Sequence, residues 1–367
     1  MPQGFCIPYA KLTGSSAFCP GDRVRALRGA LALISFTWPC TVALAQPPQA
    51  AAPTAIDEPM SGDIAPVHDP SAIRAGDTYY IFSTTPSEGA KGLIGIRRSK
   101  DLLSWTSAGT VFAQLPDWAK SKITGAQGIW APDIGFVNGR YRLYYAVSTF
   151  GSNRSVIGLA TNASLEPSAS NYSWRDEGEV IESNRSDDYN AIDPNFVLDR
   201  HGGQWLAFGS FWSGIKLVRL DPASGKPAPG DKHVYALAER SRLQDSGAIE
   251  APFIIDHNGY YYLFASFDFC CRGADSNYYT IVGRSKEVTG PYVDRTGKPM
   301  LKGGGFIVLH AQLDPTKRWR GPGGESILHD GKRDYIVYHA YDAKNRGVPT
   351  LRIQLLGWTS DGWPVAL

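Results

Sequence analysis

The 367-residue sequence predicts an all-β protein, a single-domain five-bladed β-propeller, on three observations. One pattern recurs five times: an acidic residue among small or proline residues, a turn signal, then an aromatic β-run about ten positions after the acid. The five acids, Asp69, Asp133, Asp193, Glu250 and Glu325, stand 64, 60, 57 and 75 residues apart. That leaves room for four strands and their loops per unit, the dimension of a propeller blade. Composition agrees, because 39 Gly and 25 Pro beside only 3 Met describe a turn-rich β chain. From residue 60 onward no stretch of about 12 residues carries helical apolar periodicity.

Each unit can be justified in order. HDPS around Asp69 leads through Ala75-Gly76-Asp77 to YYIFST, and APDI around Asp133 leads through Asn138-Gly139 to YRLYYAVST. IDPN around Asp193 leads through His201-Gly202-Gly203 to QWLAFGSF. IEAP around Glu250 leads through Asn258-Gly259 to YYYLFASFD, and GGES around Glu325 leads through Asp330-Gly331 to DYIVYHAYD. Turn residues between two such runs specify hairpins. A further short strand follows each run: LIGIRRS, VIGLATN, GIKLVRL, TIVGRSK and TLRIQLLG. With the innermost strand of every blade starting near its acid, the five acids are expected to crowd one end of the axis. Asp69, Asp193 and Glu250 are expected at equivalent points of three blades.

The N-terminus reads differently. From Arg23 the order is three arginines, an apolar stretch and Ala43-Leu44-Ala45 before Gln46, the order of a secretory signal peptide. The apolar part is short and broken by Pro39, which disfavours a membrane-spanning helix. Residues 1–45 are therefore assigned to a signal peptide, with translation expected to start near Val24 rather than at Met1. Residues 46–59 are a Pro/Ala-rich linker and residues 60–367 the catalytic propeller. Cleavage removes four basic residues and one acid from 37 and 35, leaving 33 against 34. So balanced a chain suggests neither a nucleic-acid surface nor an acidic tail. It also leaves Cys270 and Cys271 of the five cysteines. No zinc site can be built from that pair, and export favours its oxidation to a vicinal disulfide. The protein is expected to be a monomer.

A lone Asp-Pro pair ordinarily only opens a turn. Repetition at one axis changes the reading, since converging carboxyls with few Lys or Arg nearby must bind a cation or hold different protonation states. Different protonation states are what glycoside hydrolysis needs, one carboxylate acting on water and one carboxylic acid on the leaving oxygen. Apolar neighbours such as Phe253 and Trp130 favour keeping one carboxyl protonated.

HDPS, GIWAPDI, NAIDPNF, GAIEAPF and SFDFCCRG, in this order at blade spacing, resemble glycoside hydrolase family 43, and within it the endo-1,5-α-L-arabinanases, whose fold is a five-bladed β-propeller. The resemblance covers essentially the whole mature chain. It implies Asp69 as general base, Glu250 as general acid and Asp193 as the residue that orients the acid and tunes its pKa, with inversion at the anomeric carbon. It places Trp130, Asn190, Ser210, Trp212, Cys270 and Cys271 along the sugar site. Asp133 is expected to order its blade rather than touch substrate.

One departure concerns a metal. The family's GPGHNS motif supplies a His to an axial ion, usually calcium, held through waters, whereas this chain has Gly321-Pro322-Gly323-Gly324-Glu325-Ser326, with Gly324 in place of the His. Glu325, through hard oxygens toward calcium or sodium, or His339 is the candidate ligand. His310 is a further possible ligand, although a lone His in a strand such as YIVYHAYD is ordinarily a hydrogen-bonded core residue, and Glu325 could instead pair with Arg320. The resemblance implies a secreted enzyme that hydrolyses α-1,5-linked arabinan with no organic cofactor. An α-L-arabinofuranosidase or β-xylosidase of the same family is the enzymatic alternative, and a catalytically dead carbohydrate-binding propeller is the non-enzymatic one.

Overall fold

The computed structural model describes residues 59–85, 91–241 and 246–367. The expected signal peptide, residues 1–45, and all but the last residue of the expected linker lie outside the described residues. Five antiparallel sheets follow one another along the chain, each wound so that consecutive strands are neighbours. Blade 1 comprises Ser71–Ala75, Thr78–Ser83, Leu93–Ser99 and Ser104–Phe112, with the short strand Ser61–Gly62 added in parallel to the last. Blade 2 comprises Trp130–Val137, Arg140–Val147, Ser155–Asn162 and Arg175–Ser183. Blade 3 comprises Asn195–Leu198, Gln204–Phe208, Ile215–Arg219 and Tyr235–Ala238. Blade 4 comprises Ile249–His257, Tyr260–Phe267, Tyr279–Ser285 and Phe306–Leu309. Blade 5 comprises Trp319–His329, Asp334–Asp342, Val348–Trp358 and Pro364–Ala366. Among the described residues the one α-helix is the six-residue Asp117–Lys122, and no helix is long and apolar enough to cross a membrane.

The core is divided in the same way. Buried apolar residues form five clusters, one at each junction between successive blades, including the junction of blade 5 with blade 1. The strand period of two does the sorting. Tyr144 packs toward blade 3 while Tyr145 packs toward blade 1, and Tyr261 packs toward blade 3 while Tyr262 packs toward blade 5. An aromatic run can therefore be apolar at every position, because both faces of the sheet are covered. The ring closes where the segment before blade 1 pairs with Val348–Trp358: Val67 N donates to Pro349 O at 2.9 Å and Leu351 N to Ile64 O at 2.8 Å.

The expected hairpins form. Asn138-Gly139 (φ +52° and +74°) and Asn258-Gly259 (φ +47° and +77°) make two-residue turns with both residues left-handed, the geometry that matches strand twist. A second left-handed position recurs at the entrance to the innermost strands. Asp69, Ala131, Asp193, Ala251 and Gly324 have φ of +49°, +41°, +55°, +53° and +58°. In four blades the next residue is proline, and in the fifth it is Glu325. A side-chain-bearing residue held at positive φ costs about 1–3 kcal/mol. The blade packing sustains it here and so aims the residues on either side.

This register corrects one expectation. Asp69 and Asp193 occupy the left-handed position itself, but Glu250 stands one residue before it, Glu325 one after and Asp133 two after. The five acids are not equivalent, and the pleat sends them to different surroundings.

Candidate active site

Residues at and just before the left-handed positions open into a cleft of about 980 Å³. His68, Asp69, Trp130, Ile192, Asp193 and Glu250 line it, as do Asn190, Ser210, Trp212, Cys270 and Cys271. Every catalytic and sugar-site residue expected from the sequence thus faces one space. A second, small cavity of about 30 Å³ adjoins it. Asp69 and Asp193 border both, whereas Asp133 and Glu325 border only the small one.

Asp69 is held by its neighbours. Its backbone N–H donates to Nδ1 of the fully buried His339 at 3.2 Å, Thr84 Oγ1 donates to its Oδ2 at 2.6 Å, and His68 Nδ1 lies 2.8 Å from the same oxygen. Burial alone would raise its pKa, but the charge and hydrogen bond of His68, with His339 and Thr84, more than offset this and hold it at about 2. His68 in turn is raised well above its ordinary value: burial works against the charge, and Asp69 overcomes it. Asp69 is an ionised carboxylate across the ordinary pH range.

Glu250 is its opposite. Burial pushes it up to about 7, against the pull of hydrogen bonds from Ser210 and Tyr278. Ser210 Oγ donates to Oε2 at 2.8 Å. Asp193 is also raised, first by burial and then by the negative charges of Glu250 and Asp69, while Ala251 N donates to its Oδ2 at 3.0 Å. Burial and mutual repulsion make Asp193 and Glu250 titrate as a pair. One cleft therefore holds a carboxylate and a carboxyl that keeps its proton near neutrality.

Other side chains complete the walls. Trp130 packs against Phe150 with ring centroids 5.0 Å apart, and Asn190 Oδ1 accepts from Ser155 Oγ at 2.6 Å. Cys270 and Cys271 are free thiols rather than the expected disulfide. The Cys270 thiol, hydrogen-bonded to it, lowers Cys271 to about 5 against burial, with help from His68. Sequence reasoning gave no role to His68, Thr84, Tyr278 or Tyr341. His68 sits inside the HDPS motif and Tyr341 inside YHAYD, so position beside a motif acid was their available signal.

Asp133 and Glu325 act differently. Asp133 accepts from Ser71 Oγ at 2.7 Å, Asn195 Nδ2 at 3.1 Å and Phe196 N at 2.7 Å, tying blade 2 to blades 1 and 3. Glu325 Oε2 accepts from Ser266 Oγ at 2.8 Å and Thr280 Oγ1 at 2.9 Å, so its partners are hydroxyls of blade 4 and not Arg320. Its Oε1 is buried without a hydrogen bond. His339 Nδ1 accepts from Asp69 N at 3.2 Å, burial keeps the ring neutral, and its Nε2, like Glu325 Oε1, is buried without a hydrogen bond. His310 accepts from Gln312 N and packs on Tyr279, away from both cavities. Gly324 leaves no room for the missing imidazole, since a Cβ there would stand 2.6 Å from Asp69 Oδ1. Calcium takes six to eight oxygens, whereas about 30 Å³ holds one or two waters. The water-shelled ion implied by the resemblance does not fit these residues.

The family model of glycosyl hydrolases family 43 matches residues 64–364. The chain belongs to glycosyl hydrolase family 43. Family members similar to it include an extracellular endo-α-(1→5)-L-arabinanase of Bacillus subtilis, 46% identical over 299 residues that cover 81% of this chain and 87% of the relative. An extracellular exo-α-(1→5)-L-arabinofuranosidase of Cellvibrio japonicus is 45% identical over 306 residues, 81% of this chain and 85% of the relative. Among solved structures, the family 43 endo-arabinanase of Bacillus licheniformis superposes with a TM-score of 0.75 at 44% identity, covering 84% of this chain and 99% of that one. The α-L-arabinanase of Cellvibrio cellulosa, solved with arabinohexaose, gives 0.75 at 44% identity, covering 82% and 95%.

Proposed function

We propose that this family 43 chain is a secreted arabinan endo-1,5-α-L-arabinosidase acting by inverting single displacement. The observation that carries the mechanism is the division of two carboxyls in one cleft, Asp69 at about 2 and Glu250 at about 7. Asp69 takes a proton from a water as that oxygen bonds to the anomeric carbon. The glycosidic bond breaks with its electrons on the leaving oxygen, which receives the Glu250 proton. Solvent then returns both residues to their starting states. Pairing with His68 sacrifices basicity and secures a base that is ionised at every working pH. The cleft volume lies at the upper end of the roughly 300–1,000 Å³ of ordinary ligand pockets, which favours an oligomeric substrate over a single sugar. Secretion is supported by the relatives named extracellular. The enzyme is taken to work as a monomer, without an organic cofactor and without the axial ion.

The test is the product profile on linear arabinan: a ladder of oligosaccharides from the first minutes supports endo action. Release of one short product from chain ends would favour the exo reading that the Cellvibrio japonicus relative raises. Alongside it, Glu250→Gln should lower hydrolysis of arabinan about 10²–10⁴-fold and spare an aryl arabinoside whose leaving group needs no proton. Equal losses on both substrates would remove Glu250 from the acid role.

A further inference from the structure

Two groups of three metal-ligating side chains occur among the described residues. One, His68 with Asp69 and His339, is the support of the catalytic base, already bonded within itself. The other is His68 with Cys270 and Cys271, on the wall of the cleft, and hydrolysis uses neither sulfur. Their ligating atoms lie within 4.8 Å of one another, and Cys271 Sγ stands 3.7 Å from His68 Nε2. A tetrahedral zinc ion with metal–sulfur bonds of about 2.3 Å and metal–nitrogen bonds of about 2.0 Å separates its ligands by roughly 3.5–3.8 Å, so the three atoms need little movement to close on one ion.

The surroundings fit the same ligand. His68 Nδ1 lies 2.8 Å from Asp69 Oδ2, the carboxylate–imidazole support that fixes the ring of a metal-bound histidine. Both sulfurs are thiols, Cys271 exposed and Cys270 partly so, and the cleft leaves the fourth position open to water. We propose that His68, Cys270 and Cys271 form a site for a thiophilic divalent cation of the zinc class, and that its occupation shuts the active site. Binding replaces the 2.7 Å contact of His68 Nε2 with Tyr341 and releases the Cys270 thiol proton and the imidazolium proton to solvent, Cys271 being ionised already. The ion then stands in the cleft beside Asp69, drawing on the negative charge of the base and blocking the sugar.

The binding arm of the test is independent of the arabinan reading, and the inhibition arm rests on it. The mature protein, reduced with a phosphine that is then removed, is titrated with cadmium as a spectroscopic substitute and with zinc by calorimetry. One equivalent of either ion should bind, cadmium should give the ultraviolet sulfur-to-metal charge-transfer band, and calcium should give neither signal. Zinc should inhibit arabinan hydrolysis reversibly, at least tenfold at saturation, with a chelator restoring the rate. Cys270→Ser and Cys271→Ser, checked for native circular dichroism, should each weaken binding at least tenfold, with inhibition measured against each variant's own metal-free rate. Absence of the cadmium band in reduced protein, or unchanged binding in either folded variant, overturns the site. Tight binding with unchanged hydrolysis overturns the shut-off.

Discussion

The cleft and the small cavity beside it share Asp69 and Asp193 as a common border, yet the carboxyls peculiar to each serve different ends. Glu250 in the cleft and Glu325 in the cavity are both raised to about 7, each chiefly by burial, and each accepts from serine. A raised pKa therefore does not by itself distinguish an acid catalyst from a buried structural carboxyl. Access and partnership do. Glu250 faces a space that admits an oligosaccharide and shares it with a carboxylate held ionised, whereas Glu325 faces room for a water or two and is fixed by blade 4.

Removing the base should break this contrast most severely. Asp69→Asn should cost about 10²–10⁴-fold in kcat on every substrate, aryl arabinosides included, because water must be activated whatever the leaving group. Retention of a tenth of the activity in a contaminant-free preparation would end the assignment. Gly324→Ala tests the border from the cavity side. Its Cβ would stand 2.6 Å from Asp69 Oδ1 and 2.9 Å from His339, at φ +58°. Displacing the base by about 1 Å should cost about a hundredfold, and wild-type rates would show that Asp69 tolerates another position.

The pH profile sharpens the comparison further. Activity needs Glu250 protonated and Asp69 ionised, so kcat/KM should fall as pH rises through about 7 and, on the other side, only toward about 2. Asp193→Asn removes a carboxyl whose ionisation and that of Glu250 disfavour each other. The alkaline limb should move to lower pH and the neutral rate should drop; an unmoved limb at full activity would dismiss Asp193 as the tuning group. The smallest effects belong to the cavity. Glu325→Gln keeps an oxygen for Ser266 and Thr280, so the rate should change less than threefold or so, within what roughly 0.6 kcal/mol accounts for. Treatment with a chelator should likewise leave most activity and shift the Tm little. Inactivation that calcium alone reverses would show that an axial ion is held despite Gly324.

Much of this was legible in the sequence because it is local. Strand period, Asn-Gly turns and a repeat near 60 residues specify hairpins and their number, and five hairpins with aromatic runs apolar on both faces have few ways to bury themselves except side by side in a ring. The motifs likewise brought the expected residues to one cleft. Tertiary structure decided what depends on a shift of one residue. Asp69 at a left-handed position, Glu250 just before one and Glu325 just after one look alike in a list of motifs, but successive side chains along an extended chain point to opposite sides. Whether a carboxyl meets Thr84 and the buried His339, as Asp69 does, or two hydroxyls of another blade, as Glu325 does, depends on neighbours 15 to 270 residues away in the chain. Protonation follows from burial and from those neighbours, so the ring of acids could be counted from the sequence, while its division into base, acid and structural members required the fold.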